Sequence, residues 1–372
     1  MPRTLMKGNE VIGAAAIRAG CRAFFGYPIT PQTELPEYMA THLPAVGGVF
    51  LQAESEVAAI NMVYGASGSG VRVMTSSSSP GIALKQEGIS YLCGAELPCV
   101  IVNVVRGGPG LGGIQPSQAD YYQVTRGGGN GDYRLLVYAP ATLQELADLV
   151  QTAFARADRY RNPVMIVADG MLGQMMEPVE IRDLVEPELP EKDWAATGTE
   201  GRREPRIINS LFLKPEELEE HIHRLFTKYA AMQHDEPLVE TVGLGEDDGA
   251  EVAIVAYGTT SRIVRSAMAE LADEGIKVGL IRPITLWPYP TRVFAELPAS
   301  VRRLLVVEMS MGQMIDDVRI ANEGRLPIDF VGRTGGMVPT PRLIADTIKA
   351  LRGIPDGVPS AADLTAGVGV SR

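Results

Sequence analysis

Apolar positions along the first half of the chain switch repeatedly between two periods. "NEVIGAAAIRAG" (9–20) repeats every three to four residues and stops at a glycine, which predicts a helix with a C-terminal stop. "CRAFFGY" (21–27) predicts a short strand, "PQTELPEYMATHL" (31–43) a helix and "GGVFLQAE" (47–54) a strand. "SEVAAINMVYGASGSG" (55–70) reads as an Ala-rich helix whose small residues permit close packing. "VRVMTSSSS" (71–79), "LPCVIVNVVR" (97–106) and "PVMIVADG" (163–170) read as buried strands of a parallel sheet, and "TLQELADLVQTAFARADRY" (142–160) as an amphipathic helix. Such alternation predicts an α/β sheet with helices on both faces.

The pattern breaks after about residue 180. Residues 181–247 hold a Pro- and charge-rich stretch, expected to be a linker or a surface-wrapping arm, then a polar helix, "KPEELEEHIHRLFTKYAAMQHDE". Alternation resumes with "EVAIVAYG", "SRIVRSAMAELADEG", "KVGLIRPI", "RRLLVVEMS", "MGQMIDDVRIANEG" and "LPIDFVGR". The expectation is therefore two α/β domains, 1–180 and 248–353, joined by 181–247 and followed by a poorly ordered tail, 354–372.

Composition narrows the function classes. A formal charge of −11 argues against a basic nucleic-acid surface. The three cysteines, Cys21, Cys93 and Cys99, form no Cys-x-x-Cys pair, which fits a reduced, cytoplasmic setting and no iron–sulfur or zinc site on this chain. His221 and His223 point to different sides of the polar helix and read as solvated residues, not as metal ligands. No run of about 18 uncharged apolar residues is present to span a membrane.

Four loops at predicted strand ends carry polar residues, each with a plain reading and a chemical one. In "FFGYPITPQTE", Thr30 and Pro31 suit the N-cap and first position of a helix, and a helix start also receives carboxylates. In "AESEVAAI", Glu54 and Glu56 either complement a helix dipole or supply a buried acid–base group. Thr75 to Gly81, "TSSSSPG", is either a flexible turn or a cluster of ligand-binding hydroxyls. In "VVRGGPGLGGIQPSQAD", Gly108, Gly110 and Gly113 match G-x-G-x-x-G, but Pro109 and Pro116 interrupt the place where a phosphate-binding helix should start. Arg106 suits bidentate capture of a carboxylate, or a salt bridge tying the loop down.

Together these loops resemble the α-type subunit of the 2-oxoacid:ferredoxin (acceptor) oxidoreductases. "GNEVIGAAAIRAGCRAFFGYPITPQTELPEYMA" is similar to that family's N-terminal signature, and "ESEVAAINMVYGAS" to its cofactor-contacting segment. "GLIRPITLWPYP" and "VVEMSMGQMIDDVR" are similar to its transketolase C-terminal-like domain. "SSSSPGIALKQEGISYL", "RGGPGLGGIQPSQADYYQ" and "GGGNGDYRLLVYAP" resemble the branched-chain (2-oxoisovalerate) type, with 2-oxoglutarate or pyruvate as alternatives. The resemblance implies two doubly wound domains, the first of the thiamine-diphosphate pyrimidine-binding kind. It implies oxidative decarboxylation of a 2-oxoacid to acyl-CoA, with ferredoxin reduced. It implies that Glu56 meets the cofactor's aminopyrimidine and that Thr30, Arg106 and Tyr27 face the substrate. Pro28, Ile29, Ser77 and Ser78 would line the cofactor pocket.

The chain has no Gly-Asp-Gly run for Mg²⁺ and diphosphate. Thiamine diphosphate would thus be shared with a β-type subunit, with Mg²⁺ and iron–sulfur clusters on partners, a γ-type subunit and a ferredoxin-like subunit or domain among them. Coenzyme A would be a co-substrate, and the chain would be active only with its partners. A nicotinamide-dependent dehydrogenase using the Gly108 loop and a non-catalytic scaffold subunit are the rival readings.

Overall fold

The computed structural model describes residues 3–183 and 191–352. Its first part runs β1 (Thr4–Lys7), α1 (Gly8–Arg18), β2 (Ala23–Gly26), α2 (Glu34–His42), β3 (Val49–Gln52), α3 (Glu56–Gly68), β4 (Val73–Ser77), α4 (Ser79–Gly94), β5 (Val100–Val105), α5 (Tyr121–Arg126), β6 (Leu136–Tyr138), α6 (Leu143–Tyr160), β7 (Val164–Asp169), α7 (Gly170–Gln174) and β8 (Met176–Val179). The remainder runs α8 (Pro215–Asp235), β9 (Val239–Val242), β10 (Val252–Val255), α9 (Gly258–Asp273), β11 (Val278–Pro283), β12 (Thr285–Trp287), α10 (Arg292–Ala295), β13 (Arg303–Glu308), α11 (Met314–Asn322), β14 (Ile328–Gly332) and α12 (Pro341–Leu351).

Seven strands form the larger sheet in the order β12-β6-β7-β5-β4-β2-β3, parallel except for β12. The continuous apolar runs of β5 and β7 are buried on both faces, as a parallel sheet covered twice requires. Residues of α1, α2 and α6 form one core with one face of this sheet. On the other face, α3 and α4 share a core with the inner face of the smaller sheet, through Val255, Ile281 and Val306. That second sheet has the order β14-β13-β10-β11-β9, with β9 antiparallel, and buries its outer face under α9 and α12.

The α/β, doubly wound expectation matches this architecture. The sequence pattern does not reveal that β12, late in the chain, returns to the edge of the first sheet and pairs with β6 through Thr285 and Tyr138. Nor does it reveal the small antiparallel pair of β1 with β8.

Two local expectations need correction. Thr30 is not a helix N-cap: Thr30 and Pro31 lie in a turn joined by a cis peptide, and α2 begins only at Glu34, after Thr33. His221 is not solvated. It is buried, its Nε2 lies 2.7 Å from the Gly94 carbonyl oxygen, and its ring stacks on Phe212. The cause is that α8 presents Leu225, Tyr229 and Met232 to Tyr160 and Trp287, so one stripe of this polar helix is packed. His223, on another side, is exposed. Residues 184–190 of the expected arm and the expected tail 354–372 lie outside the described residues.

Candidate functional site

β2, β3, β4 and β5 run parallel, so their carboxyl ends open along one margin of the sheet, where such folds take ligands. All four candidate loops emerge there.

Glu56 is the first residue of α3, and Ser55 caps the helix by accepting from the Ala58 N–H at 3.1 Å. Glu54 is exposed, whereas Glu56 is only 7% exposed. The buried carboxyl faces α4 at Gly81. A Cβ there would lie 2.7 Å from Glu56 Oε1 and 2.0 Å from Ser77 Oγ. Gly81 thus allows the carboxyl and the serine hydroxyl to share one small space.

Ser77 and Ser78 are fully buried, yet among the described residues neither hydroxyl has a hydrogen-bond partner. Buried hydroxyls are nearly always paired, because leaving one unmade costs about 1–3 kcal/mol. Two orphaned hydroxyls at the start of a sixteen-residue helix are what a polar ligand site leaves behind. Ser79, by contrast, is satisfied. Its hydroxyl accepts from the Arg106 N–H at 3.0 Å, and its own N–H donates to Asn103 Oδ1 at 3.1 Å. Asn103 Nδ2 donates onward to Asp120 at 2.9 Å. Burial pushes the Asp120 carboxyl above its ordinary range, against the pull of the Ser79 and Asn103 hydrogen bonds.

The Arg106 guanidinium donates to the Thr30 carbonyl oxygen at 2.9 Å and to the Leu111 carbonyl oxygen at 3.0 Å. It therefore ties the glycine loop to the corner through carbonyls. Its Nε is buried without a partner. The G-x-G-x-x-G stretch leads into no helix until Tyr121, so a dinucleotide-type helix start is missing there.

The corner itself is anchored from three sides. The Pro31 carbonyl oxygen accepts from Asn9 at 2.9 Å and Gln174 at 3.2 Å, and the Ser76 hydroxyl donates to Gln32. Thr75 Oγ1 donates to the Phe25 carbonyl oxygen at 2.6 Å. Tyr27, Pro28 and Thr30 are exposed and Ile29 half-buried. Beside Thr30 opens a cavity of about 610 Å³ whose walls include Pro31, Ile114, Met171 and Val338. Glu34, on its wall, is pushed up by burial, but hydrogen bonds from its own N–H, Asn9, Gln174 and Lys7 outweigh this and hold it below the usual carboxylate range.

The structure thus joins Glu56 to Ser77 across Gly81, and Arg106 to Thr30, while Tyr27 and Pro28 stay on an open rim. Sequence reasoning missed Gly81, Gln32, Asn103, Asp120 and Lys85. The spacing of Gly81, Lys85 and Gly88 on one helix face was the available signal.

Residues 14–241 match the family described as pyruvate flavodoxin/ferredoxin oxidoreductase, thiamine diphosphate-binding, and residues 250–344 the pyruvate:ferredoxin oxidoreductase core domain II. The chain is 47% identical to the ketoisovalerate oxidoreductase subunit VorB of Methanothermobacter thermautotrophicus, over 95% of this chain and 99% of that one. It is 36% identical to the 2-oxoglutarate synthase subunit KorA of Methanothermobacter marburgensis, over 93% and 98%.

Among solved structures, a 2-oxoglutarate:ferredoxin oxidoreductase from Magnetococcus marinus, with 2-oxoglutarate, coenzyme A and succinyl-CoA bound, superposes with a TM-score of 0.84 at 29% identity. That match covers 94% of this chain and 65% of the other. A split-gene transketolase shares the fold alone, at a TM-score of 0.58 and 16% identity over 93% and 97%. Nearly full-length identity, two family matches in the expected order and a shared fold agree: the chain belongs to the thiamine-diphosphate-dependent 2-oxoacid:ferredoxin oxidoreductases, as one subunit of a multi-subunit enzyme.

Proposed function

We propose that the chain supplies the aminopyrimidine-facing half of an active site that oxidatively decarboxylates 2-oxoisovalerate to an acyl-CoA. The observation that carries this reading is the contact at Gly81, where a buried carboxyl meets the unpartnered Ser77 hydroxyl, with the unpartnered Ser78 hydroxyl next in sequence. A flat heterocycle with ring nitrogens and an amino group fits such a donor and acceptor set. When bound, thiamine diphosphate supplies a carbon nucleophile and an electron sink.

Glu56 would hold a ring nitrogen of the bound cofactor and exchange a proton with it, its burial keeping water from competing. Ser77 and Ser78 offer hydroxyls to the ring's remaining polar atoms. The Arg106 Nε is an unspent donor beside the Thr30 corner, placed to receive a substrate carboxylate. Thr30, with Tyr27 at the rim, faces the reacting end of the substrate, and Pro28 and Ile29 hold the corner's shape. The apolar wall of Pro31, Ile114, Met171 and Val338 suits a branched aliphatic side chain better than a second carboxylate, which Glu34 would repel. The similarity to a ketoisovalerate enzyme's subunit supports the same choice.

Exposed apolar residues lie on the elements that carry these groups: Tyr27 after β2, Leu51 on β3, Val57 on α3 and Leu84 on α4. They suit a β-type partner that carries Mg²⁺ and the diphosphate, with a γ-type subunit and a ferredoxin-like iron–sulfur protein completing a cytoplasmic assembly that uses coenzyme A.

The test is a substrate panel on the co-purified complex, comparing 2-oxoisovalerate, 2-oxoglutarate, pyruvate and an aryl pyruvate. Highest kcat/KM for 2-oxoisovalerate is expected, and a preference for 2-oxoglutarate would overturn the substrate assignment. Glu56→Gln should cut kcat by about 10²–10⁴-fold in an assembled complex. Turnover near that of the unaltered complex would remove Glu56 from the chemistry.

A further inference from the structure

Lys85 is fully buried, in the interior of α4, and no step above uses it. A buried ammonium is costly unless paired, so its surroundings call for an explanation. Its Nζ donates to Thr75 Oγ1 at 2.7 Å and to the Ser76 carbonyl oxygen at 3.0 Å. Thr75 Oγ1 in turn donates to the Phe25 carbonyl oxygen at 2.6 Å. One cation therefore links α4 to the end of β4, and through Thr75 to β2. These are the strands that carry Ser77–Ser78 and the Tyr27–Pro31 corner.

The helix geometry brings the lysine into the same seam as Glu56, although among the described residues its Nζ bonds only to Thr75 and Ser76. Gly81, Lys85 and Gly88 fall at i, i+4 and i+7 and so share one face of α4. That face meets α3. Gly81 abuts Glu56, and a Cβ on Gly88 would lie 2.5 Å from the Ile60 side chain. Lys85 occupies the same seam, one turn in from the Gly81–Glu56 contact.

We propose that Lys85 is a positioning residue for the cofactor site, whose buried positive charge faces the Glu56 carboxyl and pins the ends of β2 and β4 around it. The proposal rests on the reading of Glu56 as the ring-facing carboxyl. Two ionisable groups lie close enough for their charge to act on the lysine without a direct hydrogen bond, Glu56 from α3 and Cys99 from the start of β5. Burial pushes the Cys99 thiol up, so it stays neutral and Glu56 is the partner that matters. Burial lowers the Lys85 pKa to about 7, opposed mainly by the Glu56 charge. Below that pH the ammonium faces Glu56. Above it the lysine becomes neutral and Glu56 loses its positive neighbour.

The experiment measures thiamine diphosphate affinity of the intact complex by calorimetry at pH 6.5 and 8.5. Complexes with Lys85→Met, Glu56→Gln and both changes are compared with the unaltered one. Lys85→Met keeps an unbranched chain one atom shorter and removes the charge. It should weaken binding at pH 6.5 by on the order of tenfold, the size of one pK unit of interaction. It should also abolish the loss of affinity that the unaltered complex shows between the two pH values. In the Glu56→Gln background the same change should cost little more, because the two residues act as one unit.

An equal cost in both backgrounds, or an unchanged pH dependence, would overturn the role of Lys85 while leaving that of Glu56 intact. No effect of Glu56→Gln itself would overturn the parent reading instead. Should the Lys85→Met complex fail to assemble, Thr75→Val retains the lysine and removes one of its acceptors. A smaller shift in the same direction is then expected, and no shift would overturn the proposal.

Discussion

At the scale of the residue, the site depends as much on an absent side chain as on those present. Glu56 Oε1 and Ser77 Oγ both stand where a Cβ on residue 81 would be. Ala is intrinsically better than Gly inside a helix by about 1 kcal/mol, so Gly81→Ala should favour α4 on propensity alone. The added methyl would push on a buried carboxyl and a buried hydroxyl, neither of which has spare room. The expected outcome is a thiamine diphosphate affinity reduced by about tenfold or more, together with a lowered melting temperature from the overpacking. Calorimetric titration and a thermal melt of the same complex distinguish this from simple unfolding. Arg106 makes a related point, since its two bonds to carbonyls use Nη1 and Nη2 and leave the buried Nε, among the described residues, without an acceptor. A lysine there could not keep both bonds and still offer a fork.

At the scale of the element, the tight seam between α3 and α4 holds the site in shape. Glu56 and Ile60 on α3 oppose Gly81 and Gly88 on α4. Gly88→Ala would place a methyl 2.5 Å from Ile60, an overpacking that typically costs about 1–3 kcal/mol. Gly88→Ala should therefore lower the melting temperature, and adding Ile60→Ala should restore part of the loss. A loss left unrescued would show that the strain lies elsewhere.

The seam also shows what the sequence could and could not disclose. Long periodic stretches such as α1, α6 and α9, and the continuous apolar runs of β5 and β7, were legible because burial writes a period into the chain. α4 was not legible as a helix, since the serine run leading into it, a proline in its first turn and a buried lysine obscure its period. The three-residue strands β6 and β12 were too short to carry any pattern. At the site, Glu56 was legible by its place in a helix start, but its burial relative to Glu54 was not. That difference is made by α4, which is distant in sequence. The Thr30 cap was misread for a related reason. Thr-Pro is a helix-opening pair by local preference, and here Asn9, Gln174 and Gln32 hold it as a turn instead.

At the scale of the whole molecule, the two sheets are coupled by more than a shared core. Gln118, in the loop after β5, donates to the Tyr257 carbonyl oxygen at 2.9 Å and accepts from the Met309 N–H at 2.9 Å. On the far side of the joint, the nearly buried Arg282 of β11 forks onto Glu145 of α6, at 2.8 and 3.0 Å, and also donates to Glu240 of β9. Burial alone would lower the Arg282 pKa, but the hydrogen bonds and charges of Glu145 and Glu240 raise it instead, so the guanidinium stays charged.

Replacing it with methionine removes the guanidinium and leaves Glu145 without its cation, whereas Glu240 keeps Arg265. Breaking a buried pair on one side costs about 3–5 kcal/mol, and the partial exposure of Glu240 places this case at the lower end. Arg282→Met should therefore lower the melting temperature by several degrees. Neither Arg282 nor its partners Glu145 and Glu240 line the cavity beside Thr30, so KM for the 2-oxoacid should stay within about twofold at temperatures where the complex is folded, as expected for an independent site. A large rise in KM with no change in melting would mean that Arg282 reports to the site, not to the joint between the sheets.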